Sequence, residues 1–222
     1  HYRKKLDNLD PFISENGGGI YVPKDYFKFS LEDTGLRTED KEGYKAIILG
    51  TEYEDLRKAL LQLRQEGIDL KGFGDMTIKE VAAVTGLSHE EAGMAKDRDY
   101  DEPVLFKGSA AETERLIQRV HEMGLNYTYG QFFHILGNSD KGRAVSILTD
   151  LYRKRYGNIV TIAVGDSPND LPMLGCVDYP VIVRKRDGTY DGRISVPGLV
   201  MAEGIGPSGW DRAVRRLIDH LA

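Results

Sequence analysis

A short apolar run in the carboxyl-terminal third of the chain is followed at once by polar residues. The run Val160–Val164 stops at Gly165, and the next residues include Asp166, Ser167, Asn169 and Asp170. Such a pattern is typical of α/β proteins, which place polar groups at the carboxyl ends of buried parallel strands. Carboxylate oxygens in this position suit Mg²⁺, which binds few protein ligands and keeps several waters. Acidic residues at a helix start also serve as ordinary caps, and the spacing alone does not separate the two functions.

Lys141 is a second candidate, at the predicted start of another helix. It lies within Gly137–Gly142, beside Asn138 and Ser139. A lysine at a helix start can offer its charge to a phosphate, because the backbone N–H groups there also favour anions. The residue order is not that of a P-loop. A solvated surface lysine is the alternative.

Three glycines follow Asn16. Gly17, Gly18 and Gly19 lie between two predicted short strands, Leu9–Ser14 and Ile20–Pro23. Glycine allows positive φ and lets a ligand approach the backbone closely. A plain glycine-rich hairpin is the alternative.

Arg98 and His134 are further candidates. Arg98 lies in the charged run Asp97–Pro103 and can bind a carboxylate or, with the neighbouring acids, sugar hydroxyls, although a solvated loop is the simpler interpretation. His134 precedes the Lys141 segment, and a buried structural histidine is its alternative. The five histidines show no spacing typical of metal ligands.

Alternating strands and helices must position these residues. Capping boxes predict four helix starts, at Thr51 with Glu54, Thr77 with Glu80, Ser88 with Glu91, and Ser109 with Glu112. A helix from Asp140 to Tyr156 precedes the strand Ile159–Val164, and Pro207–Leu221 is predicted to form a closing helix. The segment from Tyr44 to about Gly130 has strands and helices of its own. We therefore predict an α/β fold with a compact insert.

Composition excludes several classes of protein. The 222 residues are 41% hydrophobic with a net charge of −5 and mixed signs, which argues against a general binder of nucleic acid or acidic membranes. Thr77–Asp99 is similar to a helix-turn-helix, but the helix that would enter DNA is net acidic. No apolar run reaches the length of a membrane span. The single cysteine, Cys176, favours a reducing compartment, so we expect a cytoplasmic protein.

Taken together, these segments resemble the haloacid dehalogenase-like (HAD) phosphatases that carry a large α/β cap. More closely, the chain resembles the mannosyl-3-phosphoglycerate phosphatases. The acidic loop alone is typical of the whole superfamily, whereas the combination of segments indicates the narrower family. The matching segments span nearly the whole chain and comprise residues 14–19, 98–103, 134–142, 165–170 and 206–210.

The resemblance implies a Rossmann-like HAD core with a mostly parallel sheet and an inserted α/β cap. On this pattern, residues 1–43 form part of the core, 44–130 the cap, and 131–222 the rest of the core. It also implies Mg²⁺-dependent hydrolysis of mannosyl-3-phosphoglycerate, a small phosphorylated sugar-glycerate, through an aspartyl-phosphate. Another sugar-phosphate phosphatase, or a non-catalytic binding protein of the same fold, remains the alternative.

The resemblance also implies roles for individual residues. Lys141 would neutralise the phosphoryl oxygens, Asp166 would ligate Mg²⁺, and Asp170 would support Lys141 or the metal's waters. Arg98 and His134 would reach the glycerate or the sugar. The full set expected to bind substrate is Asn16, Gly17, Gly18, Arg98, His134, Ser167 and Asn169.

Two parts of the family pattern are absent from the sequence. No apolar strand is followed by the Asp-x-Asp pair that supplies the nucleophile and the general acid and base, and the hydroxyl-bearing residue expected after the second strand is missing. Asp97 and Asp99 do not qualify, because no apolar strand precedes them. His1–Leu6 resembles the end of a helix. We therefore expect a fragment that lacks its first βαβ portion and is inactive as given.

Overall fold

The computed structural model describes residues 2–221 and divides into two compact units, His1–Ser139 and Asp140–Ala222. A short helix, α1 (Tyr2–Lys5), opens the first unit, where a helix end was predicted over His1–Leu6; His1 lies outside the described residues. None of the helices within residues 2–221 has the length and apolar character needed to cross a membrane.

The first sheet of this unit has four antiparallel strands. They are β1 (Phe12–Ser14), β2 (Gly19–Pro23), β3 (Thr38–Lys41) and β4 (Tyr44–Ile48), in the order β1-β2-β4-β3. We predicted β1, β2 and β4 but described residues 24–43 as a connection, so β3 was missed.

A second antiparallel sheet follows, with helices between its strands. Its elements are α2 (Tyr53–Gln65), β5 (Leu70–Gly72), α3 (Ile78–Thr85), α4 (His89–Lys96), β6 (Asp101–Phe106), α5 (Ala110–Glu122), β7 (Asn126–Tyr129) and β8 (Phe133–Leu136). The strand order is β5-β6-β8-β7, with every pair antiparallel. The first unit therefore runs beyond residue 130 to Ser139, while the predicted core and cap boundaries stay a prediction.

Three of the four predicted capping boxes are confirmed. In α3, α4 and α5 the capping hydroxyl accepts from the backbone N–H three residues on, and the glutamate there bonds back to the cap. The fourth was wrong: α2 begins at Tyr53 after Glu52, with no side-chain cap. Thr51 instead lies close to Gly137. A Cβ at position 137 would collide with the Thr51 hydroxyl.

The two faces of β6 have different surroundings, because successive side chains of a strand point to opposite sides. On one side Val104 joins the apolar cluster of α2 and α5, together with Phe133 and Ile135 of β8. On the other side Leu105 packs on the cluster formed around α3 and α4. At the start of the strand, Asp101 and Glu102 are both fully buried. Two adjacent buried carboxylates therefore face different partners.

The second unit is built on a parallel sheet. Its elements are α6 (Lys141–Tyr156), β9 (Ile162–Gly165), α7 (Leu171–Leu174), β10 (Tyr179–Arg184), β11 (Val200–Ile205) and α8 (Gly206–Leu221). The strand order is β11-β10-β9, and both pairs are parallel. Apolar residues of the strands pack on α7 and on α8. The carboxyl end of β9 carries the acidic loop that the sequence singled out.

Candidate functional site

Asp170 is the centre of the acidic loop. It closes a 3-10 turn, Pro168–Asp170, that follows β9, and it is buried. Its Oδ2 accepts from the backbone N–H of Asp166 at 3.1 Å and of Ser167 at 3.3 Å. A Cβ on Gly165 would lie 2.6 Å from the Asp170 Cβ, so only glycine lets this side chain fold back over the strand end.

Lys141 pairs with the other oxygen of the same carboxylate. Its Nζ lies 2.5 Å from Asp170 Oδ1. Lys141 is the first residue of α6, whose N-cap Asp140 accepts from the backbone N–H of Arg143 at 2.8 Å. A Cβ on Gly142 would come within 3.0 Å of the Pro172 carbonyl oxygen, so the first turn of α6 lies directly against α7. This close approach brings the lysine to the loop.

Asp166 differs from Asp170 in having an exposed side chain. Within residues 2–221 its carboxylate has no hydrogen-bond or ion-pair partner, since only its backbone N–H is engaged. In the described part of the chain, no three or more His, Cys, Asp or Glu side chains are grouped so that they could hold a metal ion. Mg²⁺ commonly uses one or two protein carboxylates and completes its shell with water and phosphate oxygens. The Asp166 carboxylate fits that requirement.

Ser167 and Asn169 bond to each other. The Ser167 hydroxyl lies 2.6 Å from Asn169 Oδ1 and donates to it. The second unit thus brings five predicted residues into one loop-and-helix arrangement, while their roles toward a ligand stay predictions. They are Lys141, Asp166, Ser167, Asn169 and Asp170.

In the first unit, the glycine-rich turn has an unexpected backbone. Positive φ occurs at Glu15 (50°), Asn16 (53°) and Gly17 (94°), whereas Gly18 is right-handed with φ −66°. The three glycines allow positive φ, but only Gly17 and not Gly18 is among the residues that adopt it here, and the two non-glycine residues before Gly17 adopt it as well. Gly18 is needed for space, because a Cβ there would lie 2.5 Å from the Tyr100 Cβ. Left-handed glutamate is unfavourable and persists only where surrounding contacts impose it.

Those contacts come from the segment before β6. The Glu15 carboxylate accepts from the backbone N–H of Tyr100 at 2.6 Å and of Asp99 at 3.1 Å. Burial raises the pKa of Glu15 above its ordinary value, and the two N–H bonds and the charge of Arg98 oppose this. Arg98 itself donates from Nε to the Ala95 carbonyl at 2.8 Å, at the end of α4.

Asn16 and His134 meet at one residue that we did not single out, Asp101. The Asn16 Nδ2 lies 2.6 Å from Asp101 Oδ2, and the His134 Nδ1 lies 2.8 Å from Asp101 Oδ1. A sequence signal existed, because Asp101 lies two residues before Pro103 and four before Leu105 and so shares their side of the strand in an alternating pattern. Alternation alone does not reveal its partners, which lie far away along the chain.

The chain is similar in sequence to named phosphatases. The glucosyl-3-phosphoglycerate/mannosyl-3-phosphoglycerate phosphatase of Methanococcoides burtonii is 44% identical over 98% of this chain and 79% of its own length. The enzyme of the same name from Persephonella marina is 34% identical over 99% of this chain and 80% of its own length. No protein-family model matches the chain.

Solved structures show the same fold. A HAD superfamily phosphatase from Bacteroides thetaiotaomicron superposes with a TM-score of 0.59 at 18% identity, covering 96% of this chain and 76% of its own. A protein from Thermoplasma acidophilum gives a TM-score of 0.62 at 15% identity, covering 96% of this chain and 75% of its own. The fold is thus the Rossmann-like HAD core with an α/β cap. The sequence identity to the curated relatives places the chain in the mannosyl-3-phosphoglycerate phosphatase family.

Proposed function

We propose that the protein is a Mg²⁺-dependent phosphomonoesterase that converts mannosyl-3-phosphoglycerate to mannosylglycerate and phosphate. The observation that carries this proposal is the Lys141–Asp170 ion pair beside the carboxylate of Asp166, which has no partner among the described residues. The two relatives described above are named for the glucosyl and the mannosyl substrate, so glucosyl-3-phosphoglycerate is the second candidate. A single cysteine, Cys176, supports our proposal of a cytoplasmic location.

Lys141 provides the positive charge for the phosphoryl group. Phosphoryl transfer is promoted mainly by positioning and by neutralising charge on the phosphoryl oxygens. The bond to Asp170 restricts the lysine to one orientation, and Asp170 is itself restrained by the backbone N–H groups of Asp166 and Ser167. The lysine is therefore positioned before a substrate arrives.

Asp166 is the residue proposed to hold Mg²⁺, with water and phosphate oxygens as the remaining ligands. When bound, the metal would supply further neutralisation of charge on the phosphate. Asp170 is not proposed as a direct ligand, because both of its oxygens already accept hydrogen bonds. It instead supports Lys141 and the backbone that presents Asp166.

The aspartyl-phosphate route requires a nucleophilic aspartate. Among residues 2–221 no strand is followed directly by an Asp-x-Asp pair, since Asp97 and Asp99 come before β6 and Asp101 is its first residue. We therefore propose that the nucleophile comes from a segment outside these residues. The 222-residue chain alone is then expected to release no phosphate.

The first unit is proposed to bind the organic part of the substrate. Arg98 suits the glycerate carboxylate, because a guanidinium pairs well with that group. Asn16 and His134 suit sugar hydroxyls. Gly17 and Gly18 complete this proposed surface, and Ser167 and Asn169 are proposed to contact the phosphate end.

The deciding experiment measures phosphate release by the full-length protein from four compounds: mannosyl-3-phosphoglycerate, glucosyl-3-phosphoglycerate, 3-phosphoglycerate and mannose 6-phosphate. We expect Mg²⁺-dependent hydrolysis that favours the two sugar-glycerates. Equal rates across the panel would support a general sugar-phosphate phosphatase. Complete inactivity, combined with binding of a sugar-glycerate, would support the non-catalytic alternative.

A further inference from the structure

Asp101 occupies a chemically unusual place in the first unit. It is fully buried, yet in the described part of the chain its carboxylate has only Asn16 and His134 as hydrogen-bond partners. Its neighbour Glu102 is equally buried but pairs with the Arg57 guanidinium at 2.9 Å. Burying a carboxylate without hydrogen bonds is costly in free energy. The two hydrogen bonds to Asp101 are therefore needed to stabilise it in this position.

An ionised carboxylate accepts hydrogen bonds and cannot donate them. Both partners of Asp101 must therefore donate, which fixes the Asn16 amide with its NH₂ group toward Asp101 and fixes the hydrogen of His134 on Nδ1. A neutral imidazole has one donor and one acceptor nitrogen. In the neutral ring, the other nitrogen of His134, Nε2, is the acceptor. Among residues 2–221 Nε2 has no partner, and the side chain keeps 17% of its surface exposed.

A second observation concerns the backbone beside Asp101. The left-handed turn at Glu15 and Asn16 is held against this segment by the Glu15 bonds to Tyr100 and Asp99. Strained backbone that is held by its surroundings tends to occur at functional sites. Here the strain has one identifiable result, since it places the Asn16 amide on Asp101.

We propose that Asp101 is a positioning residue that sets His134 as a hydrogen-bond acceptor for a sugar hydroxyl of the substrate. This assignment rests on the proposed function and narrows it. An acceptor nitrogen suits a hydroxyl donor and not the glycerate carboxylate, which has no hydrogen to give when ionised. His134, oriented by Asp101, would therefore bind the sugar, and Arg98 would bind the glycerate carboxylate.

The first test measures the tautomer directly in the full-length protein. Long-range ¹H–¹⁵N NMR correlations at alkaline pH report which nitrogen of a neutral imidazole carries the hydrogen. We expect His134 in the Nδ1–H form, and a second population with hydrogen on Nε2 in Asp101→Leu. A wild-type protein in the Nε2–H form would overturn the proposal, whatever the variant does.

The second test compares substrates that differ in the sugar. The value of kcat/KM for mannosyl-3-phosphoglycerate relative to 3-phosphoglycerate should fall about 10-fold in Asp101→Asn, mainly through KM, because one hydrogen bond to the sugar is misplaced. The matched control is Glu102→Gln, a change in an adjacent, equally buried carboxylate that faces Arg57. It should leave the ratio unchanged.

These outcomes separate the two proposals. Equal losses on both substrates in Asp101→Asn, or the same change of ratio in Glu102→Gln, would overturn the positioning role. Inactivity of the wild-type protein toward both substrates would overturn the proposed function instead. In that case the tautomer measurement still decides whether Asp101 orients His134, because it requires no turnover.

Discussion

Asp170 joins Lys141 to the backbone of the acidic loop through one carboxylate. One oxygen receives the lysine Nζ at 2.5 Å, and the other receives the N–H groups of Asp166 and Ser167. The carboxylate is thus fully occupied, whereas that of Asp166 has no partner in residues 2–221. Two aspartates four positions apart therefore differ in their surroundings, and we propose a structural role for Asp170 and a metal-binding role for Asp166.

Because Lys141 and Asp170 form an ion pair, we expect substitutions of the two residues to have non-additive effects on turnover. In the full-length protein, Asp170→Asn should lower kcat/KM about 100-fold, because the lysine loses its fixed position. Lys141→Met should have a similar effect, and the double variant should be little worse than either single one. The control is Asp150→Asn, which removes an exposed ion pair with Arg153 on the same helix. Additive losses in the double variant would contradict coupling.

Asp166→Ala should abolish Mg²⁺-dependent turnover without weakening the fold. Its side chain is exposed and unpartnered within the described residues, so the free energy of unfolding should change by less than about 0.5 kcal/mol. Phosphate release as a function of Mg²⁺ concentration, together with thermal unfolding, measures both effects. Asp187→Ala, in an exposed loop, serves as the control. Retained Mg²⁺-dependent activity would remove Asp166 from the metal site.

Gly142→Ala should destabilise the protein by about 1–3 kcal/mol, because the new Cβ would collide with the Pro172 backbone. The same displacement should move Lys141 and reduce turnover. Gly175→Ala is the matched control, since its Cβ would lie 3.4 Å from the Leu171 carbonyl oxygen in ordinary contact. Chemical denaturation of the two variants tests the difference. Equal stability would show that α6 can move away from α7 at little cost.

Arg57→Met should remove about 3–5 kcal/mol of stability, since it leaves the fully buried Glu102 without its cation. Lys58→Met, which breaks an exposed ion pair with Asp55, should destabilise the protein far less than Arg57→Met. Adding Glu102→Leu to Arg57→Met should restore part of the loss, because the unpaired charge disappears. Urea unfolding measures all three variants, and no recovery in the double variant would contradict this explanation.

Acid should weaken the fold partly through Asp191. Hydrogen bonds from Arg193 and then from Lys185 hold the pKa of this buried carboxyl well below its usual range. Because the folded pKa is depressed, the stabilisation is fully present above the unfolded pKa of about 4 and is lost as the pH falls toward the folded value. In Asp191→Asn, the free energy of unfolding should therefore fall less steeply as the pH is lowered. An unchanged dependence on pH would exclude this residue as a source.

Local patterns in the sequence determined a large part of the fold. The capping boxes at Thr77, Ser88 and Ser109 start helices where predicted, because each motif is satisfied by contacts within four residues. The apolar run before Gly165 forms a parallel strand with the acidic loop at its end. The strand β3, in contrast, has the sequence Thr-Glu-Asp-Lys and no apolar alternation. Its backbone bonds to β4 form it, and these cannot be read from residue types.

For the candidate site as well, the sequence identified residue types, whereas their contacts became known only from the tertiary structure. By itself, the sequence identified Lys141, Asp166 and Asp170 as groups suited to phosphate and metal. Only the tertiary structure paired Lys141 with Asp170, 29 residues apart, and left Asp166 without a partner in the described residues. Only it joined Asp101 to Asn16 and His134, which are 85 and 33 residues away. Hydrogen bonds between distant residues depend on strand register and on the close approach of elements, and neither is encoded in local residue spacing.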